Sequence, residues 1–139
     1  MTAPDLVPED ALGVLEASRA REKSQALYYR VLAAGAGGDA DTTDRLNDLH
    51  ADEQHHLSRL TARLLELGHK PADLSGVPVP VADLDGWELV ARGREAAEVR
   101  WYETLVALEL DPQTLALLHE ILESERHHRS ELRGKWMSA

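Results

Sequence analysis

The chain has 139 residues, a formal net charge of −10 at neutral pH and no cysteine. Its length suits one domain with a substantial core, and its charge argues against a nucleic-acid partner, which needs a basic face. The missing thiols exclude disulfides, thiolate metal sites and iron–sulfur clusters, leaving carboxylate and imidazole as the strong side-chain ligands.

Met1–Pro8 has neither the basic start nor the apolar run of a signal peptide, and no apolar stretch approaches bilayer length. No membrane association is expected, and the expected location is cytoplasmic. Leu, Ala, Glu and Arg dominate, Phe is absent and aromatics make up 4% of the residues, a composition that points to an all-α fold.

A first helix is expected from about residue 8 to 34. Pro8 suits a first turn, Glu9 and Asp10 suit the positive end of the dipole, and Gly35, Gly37 and Gly38 stop the helix. A second is expected over about 40–68, opening in the capping-rich run Asp39–Asp44 and ending at Gly68. A third covers about 84–109. A fourth, about 111–134, opens at Asp111-Pro112, a cap followed by a proline, and ends near Gly134. Connection lengths set the topology. The first and last links are short, so those helices form antiparallel hairpins. The middle link, His69 to about Ala82, carries Pro71, Gly76, Pro78 and Pro80. Fourteen residues at roughly 3.3 Å each reach about 46 Å, and a helix of about 27 residues is about 40 Å long. The link can therefore run the height of the bundle and leave helices 2 and 3 parallel, the ferritin-like four-helix arrangement with one long crossover.

The apolar stripes of these helices are interrupted in a repeated way. The first runs Leu12, Leu15, Glu22, Tyr29, Leu32. The second runs Leu46, Leu49, Glu53, His56, Leu60, Leu64, Leu67. The third runs Leu84, Trp87, Ala91, Glu95, Glu98, Tyr102, Leu105. The fourth runs Leu115, Leu118, Leu122, Glu125, His128, Leu132. Glu22, Tyr29, Glu53 and His56 are spaced 7, 24 and 3 apart, and Glu95, Tyr102, Glu125 and His128 are spaced 7, 23 and 3. A lone Glu-x-x-His is common by chance and usually belongs to a solvated face. Two of them, each trailing a matched Glu and Tyr, form the ligand set of a dinuclear carboxylate site in a helical bundle. Four buried glutamates at one level repel each other, and two divalent ions carry the matching +4, with two imidazoles completing the shell. His56 and His128, at i+3, share the face of their glutamates, whereas His55 and His127 face away. His50, His69 and His119 are expected on the surface, Trp101 and Trp136 as packing residues. Tyr29 and Tyr102 are expected to donate their hydroxyls to the carboxylates.

The chain resembles the di-iron domain of the rubrerythrin family, within the ferritin-like superfamily, over about residues 8–134. The residues carrying the resemblance are Glu22 with Ser24-Gln25-Ala26 and Tyr29, Glu53-x-x-His56, Glu95 with Glu98 and Tyr102, and Glu125-x-x-His128. Lys23 separates Glu22 from the Ser-Gln pair that directly follows the ligand in the family's pattern, and Glu16 is the alternative ligand on the first helix. With no cysteine, the chain lacks the rubredoxin-like domain many members carry. The resemblance implies two iron ions, with manganese or a mixed pair as alternatives. Glu22, Glu53, Glu95 and Glu125 would hold or bridge them, His56 and His128 would be terminal ligands, and Glu98 would trade with His56 when the metals change redox state. A fifth carboxylate would also leave the oxidised site with an extra negative charge, favouring retention of Fe(III). The implied activity is reduction of hydrogen peroxide, or of dioxygen, with an external electron donor. A ferroxidase or iron-storage role is the alternative, and a non-catalytic metal-binding bundle a third. The expected assembly is a homo-oligomer, a dimer.

Overall fold

The computed structural model describes residues 8–136, with side chains over 8–132. Met1–Val7 and the Trp136 side chain, on which two of the expectations bear, lie outside the described residues. Within them the chain forms four helices and no strand: α1 Ala11–Gly35, α2 Ala40–Glu66, α3 Trp87–Val106 and α4 Pro112–Trp136. No described helix is long and apolar enough to cross a membrane.

Helix ends follow capping chemistry more closely than composition. The first helix starts at Ala11, not at Pro8, because Asp10 is its cap: Oδ1 accepts from the Gly13 amide at 2.7 Å. Pro8 lies against Gly13, where a Cβ would come within 2.9 Å of the proline Cβ. Asp39 caps α2 in the same way, accepting from the Thr42 amide. At the other end of α2, the His69 amide reaches the Leu64 carbonyl and the Gly68 amide the Leu65 carbonyl, both at 3.0 Å. That paired closure needs a left-handed residue, which Gly68 supplies at φ 76°. The third helix ends at Val106, three residues before the expected 109. Asp111 accepts from the Thr114 amide and caps α4. Residues 107–110 are spent on the reversal that brings Leu108 and Leu110 onto the core. The last helix runs on to Trp136, past Gly134.

Cross-helix pairs fix the directions. Between α1 and α2, Arg19 meets Thr61 and Glu22 meets His56. Between α2 and α4, Arg63 meets Thr114, Asp52 meets His128 and Arg45 meets Glu131. Between α1 and α3, Ser18 meets Trp101, Arg21 meets Glu98 and Gln25 meets Arg94. In each case one number rises as the other falls, so α1 and α4 are antiparallel to both α2 and α3. The segment Leu67–Gly86 between α2 and α3 is fixed near both ends of α1. Ala72 donates its amide to Glu16 and accepts from Arg19, while Leu84 lies beside Gly35.

The core is split into two apolar clusters. One joins residues 14–15 of α1, 60–64 of α2, 99–105 of α3 and 117–122 of α4. The other joins 28–32, 46–49, 87–91 and Leu132. On every helix the Glu of the repeat falls between the two. Leu12 and Leu67, expected in the stripes, are 38% and 39% exposed. Leu12 sits in the first turn of α1 and Leu67 is the cap residue of α2, and at helix ends the chain turns out of the packed interface.

Candidate metal centre

Glu22, Glu53, Glu95 and Glu125 are fully buried in the layer between the clusters, and His56 and His128 are buried beside them. Ligand atoms of Glu22, Glu53, His56 and Glu125 all lie within 4.8 Å of one another, and so do those of Glu53, Glu95, Glu125 and His128. The groups share Glu53 and Glu125. Each thus has one private glutamate, one private histidine and two shared carboxylates, as two adjacent ions would require. Both histidines turn Nδ1 inward. His56 Nδ1 is 3.3 Å from both Glu22 and Glu53, and His128 Nδ1 is 3.1 Å from Glu125 and 3.5 Å from Glu95.

The donor set fits hard or borderline divalent cations. Both oxygens of Glu53, Oε1 of Glu95 and Oε2 of Glu125 are buried with no hydrogen-bond partner. An unpaired buried carboxylate costs several kcal/mol, roughly, even after relaxation, and all three of these glutamates belong to one ligand group. Burial, followed by repulsion from the neighbouring glutamates, raises Glu53 and Glu125 well above the carboxylate range. Burial works against charge on Glu95 too, but hydrogen bonding and attraction from His128 outweigh it and hold Glu95 low. The His128 imidazole is pushed up to about 12: burial disfavours its charge, and Asp52, Glu125 and Glu95 more than compensate. In the metal-free chain these three carboxylates favour the protonated form of His128.

The tyrosines do donate to carboxylates, but across the bundle. Tyr29 on α1 reaches Glu95 on α3, and Tyr102 on α3 reaches Glu22 on α1, each at 2.6 Å. Burial first, and the nearby glutamates second, raise both phenols well above 10, so both remain proton donors.

Glu98 joins neither ligand group. Arg21 holds it through two bonds, 3.1 and 2.8 Å, and stacks over Trp101 at 4.7 Å. The same arrangement recurs beside it between α1 and α3, where Arg94 donates to Gln25 at 2.5 Å and stacks over Tyr28 at 4.4 Å. Arg21 corrects one expectation: the fifth carboxylate is matched by a guanidinium and adds no unpaired negative charge. Burial nevertheless pushes the Glu98 carboxyl up to about 7 against the pull of Arg21. Glu98 lies in a cavity of about 200 Å³ between α1 and α3, with Arg21, Ser24, Gln25, Arg94 and Ala97.

Glu16 is not at the centre; it bonds Arg19 and the Ala72 amide and faces His69. His55, His119 and His127 are exposed, while His50 and His69 are partly buried. Sequence reasoning missed Arg21, Arg94 and Asp52. The two arginines had a signal, since Arg21-Glu22 and Arg94-Glu95 repeat the same dipeptide at the same offset as the glutamates. Asp52, whose Oδ2 lies 2.8 Å from His128 Nε2, had none, because that contact depends on the register between α2 and α4. Compared with family models, with curated proteins and with solved structures, the chain matches none.

Proposed function

We propose that the protein is a non-haem dinuclear metalloprotein, most readily a di-iron protein with manganese as the alternative, that reduces hydrogen peroxide with electrons from an external donor. The observation carrying this reading is the pair of overlapping four-residue groups with their unpartnered carboxylate oxygens. The antiparallel pairings and the long α2–α3 segment support a ferritin-like topology, in which such centres are held by glutamates from all four helices.

A bound Fe(II) pair would supply the two electrons that, with two protons, convert hydrogen peroxide to two waters, and the external donor would reduce the resulting Fe(III) back to Fe(II). Glu53 and Glu125, common to both groups, would be shared by the two ions, and Glu22 with His56 and Glu95 with His128 would complete the two positions. Tyr29 and Tyr102 hold the outer oxygens of Glu95 and Glu22, leaving the other oxygens for metal. Glu98 carries protons: its carboxyl, set near neutrality, lies in the solvent-facing cavity between α1 and α3.

The Arg21–Glu98 pair also favours a second reading. With Glu98 held outside the ligand groups, the remaining set of four glutamates and two histidines suits a ferroxidase that oxidises Fe(II) with dioxygen. Rapid mixing of the Fe(II)-loaded protein with peroxide or dioxygen separates the two. The peroxidase reading expects faster oxidation by peroxide and many turnovers with a reductant. It also expects a rate that falls as pH rises through about 7, where Glu98 loses its proton. In Glu98→Gln, oxidation by peroxide slows on the order of 100-fold and the pH dependence disappears, while the metal count stays at the wild-type value. Faster oxidation by dioxygen, with neither rate changed in Glu98→Gln, replaces the peroxidase reading with ferroxidase.

A further inference from the structure

The two halves of the centre repeat each other closely, and they differ in two places. At the position formed by Glu95 and His128, the histidine is held from outside: Asp52 Oδ2 accepts from Nε2 at 2.8 Å, which directs Nδ1 into the layer. At the position formed by Glu22 and His56, the residue matching Asp52 in the repeat is Ser124. Among the described residues, no side chain accepts from His56 Nε2. The second difference lies on the private glutamates. Glu95 Oε2 receives two hydrogen bonds, from Tyr29 at 2.6 Å and Gln25 at 3.0 Å, and its Oε1 lies 3.5 Å from His128 Nδ1. Glu22 Oε2 receives one, from Tyr102, and its Oε1 lies 3.3 Å from His56 Nδ1. The counterpart of Gln25 is Glu98, whose oxygens are engaged by Arg21 instead.

We propose that the two metal positions are inequivalent and fill in order, the Glu95–His128 position first, with Asp52 as the residue that prepares it. The physical basis is the reduced cost of ordering ligands before binding. A histidine with a carboxylate on its far nitrogen is fixed in ring orientation and tautomer and is a more basic ligand, and loss of such a partner typically weakens metal binding about 10- to 100-fold. A first ion at Glu95–His128 also engages the shared Glu53 and Glu125. The second ion then meets a site already partly neutralised and must order His56 and Glu22 itself. Asp52 is 55% exposed on its side chain, so its replacement leaves the core packing intact.

This inference rests on the metal-centre reading, and titration calorimetry of the chelated protein with Co(II), followed by the visible Co(II) spectrum, tests the two separately. The wild type is expected to bind two ions in distinct steps, the first at least about tenfold tighter. In Asp52→Ala the tight step weakens about 10- to 100-fold and the two steps merge, with an unchanged total. His56→Ala keeps one ion at the affinity of the wild-type first step, whereas His128→Ala keeps one ion only at weak affinity. If Asp52→Ala leaves the tight step unchanged, or His56→Ala removes it, the order proposed here is wrong while the metal centre stands. A wild type that binds no Co(II) removes both.

Discussion

Chelation is expected to lower the melting temperature of this protein at neutral pH by a large margin, and acidification of the metal-free chain to recover part of the loss. Each ion held at a hundredfold excess over its Kd stabilises the fold by about 2.7 kcal/mol. For two ions in a domain of this size, the expected drop is on the order of 15 °C or more. The recovery follows from the signs of the shifts. Glu53 and Glu125 have folded values raised well above 4.5 by burial and then by each other's neighbours. A raised acid destabilises the fold above its folded value, and the penalty fades as pH falls towards the unfolded value near 4.5. Glu98, raised to about 7, acts in the same direction. His128, raised from 6.5 to about 12, contributes stability that is full below about 6.5 and declines above it. All four shifts make the metal-free chain more stable at pH 5 than at pH 7.5. The depressed carboxyls of Glu95 and Asp52 lose their contribution as pH falls from their ordinary values, 4.5 and 3.8, towards their lowered ones, below that window. The loaded protein slopes the other way, because protons compete with metal for the ligands. Melting curves with and without chelator at pH 7.5 and 5 read both slopes, and parallel slopes contradict the account.

Much of this centre is legible in the sequence because helical periodicity is local. Glu53 and His56 replace leucines at helical spacing, so their direction follows once α2 is recognised. The breaks at Gly35 and Gly68, and the span between α2 and α3, set the level at which the four glutamates meet. Contacts that depend on rotation and register between helices were not legible. Tyr29 lies two turns beyond Glu22 on the same helix, yet its hydroxyl serves Glu95 on α3. Arg21 lies next to Glu22, but its target is Glu98, and this pairing removes the unpaired charge expected of a fifth carboxylate. Helix ends were misplaced where side-chain caps compete with composition, as at Asp10 against Pro8.

The second large effect concerns the shared carboxylates. Glu53→Ala or Glu125→Ala is expected to abolish binding of both ions, because each glutamate belongs to both ligand groups. Glu22→Ala or Glu95→Ala removes a private ligand and leaves about one ion per chain. For the metal-free proteins, loss of a shared carboxylate's charge is expected to raise stability instead. Glu53→Gln keeps the side chain's volume and removes one of four repelling carboxylates. At pH 7.5 its chelated form should melt higher than the chelated wild type, and at pH 5, with Glu53 protonated in the wild type, the difference should close. Metal analysis and melting curves on the same preparations test both halves. A Glu53→Gln protein that binds two ions as tightly as wild type sinks the bridging role. One that melts lower than chelated wild type at pH 7.5 sinks the charge argument.

The metal content of the wild-type chain tests the central claim most directly. Elemental analysis of the protein as purified, and again after anaerobic Fe(II) loading and removal of free iron, should give about two ions per chain in the loaded sample. That count is the one set by two four-residue groups sharing Glu53 and Glu125. A folded wild-type chain that carries no metal and takes up none from Fe(II) contradicts the account.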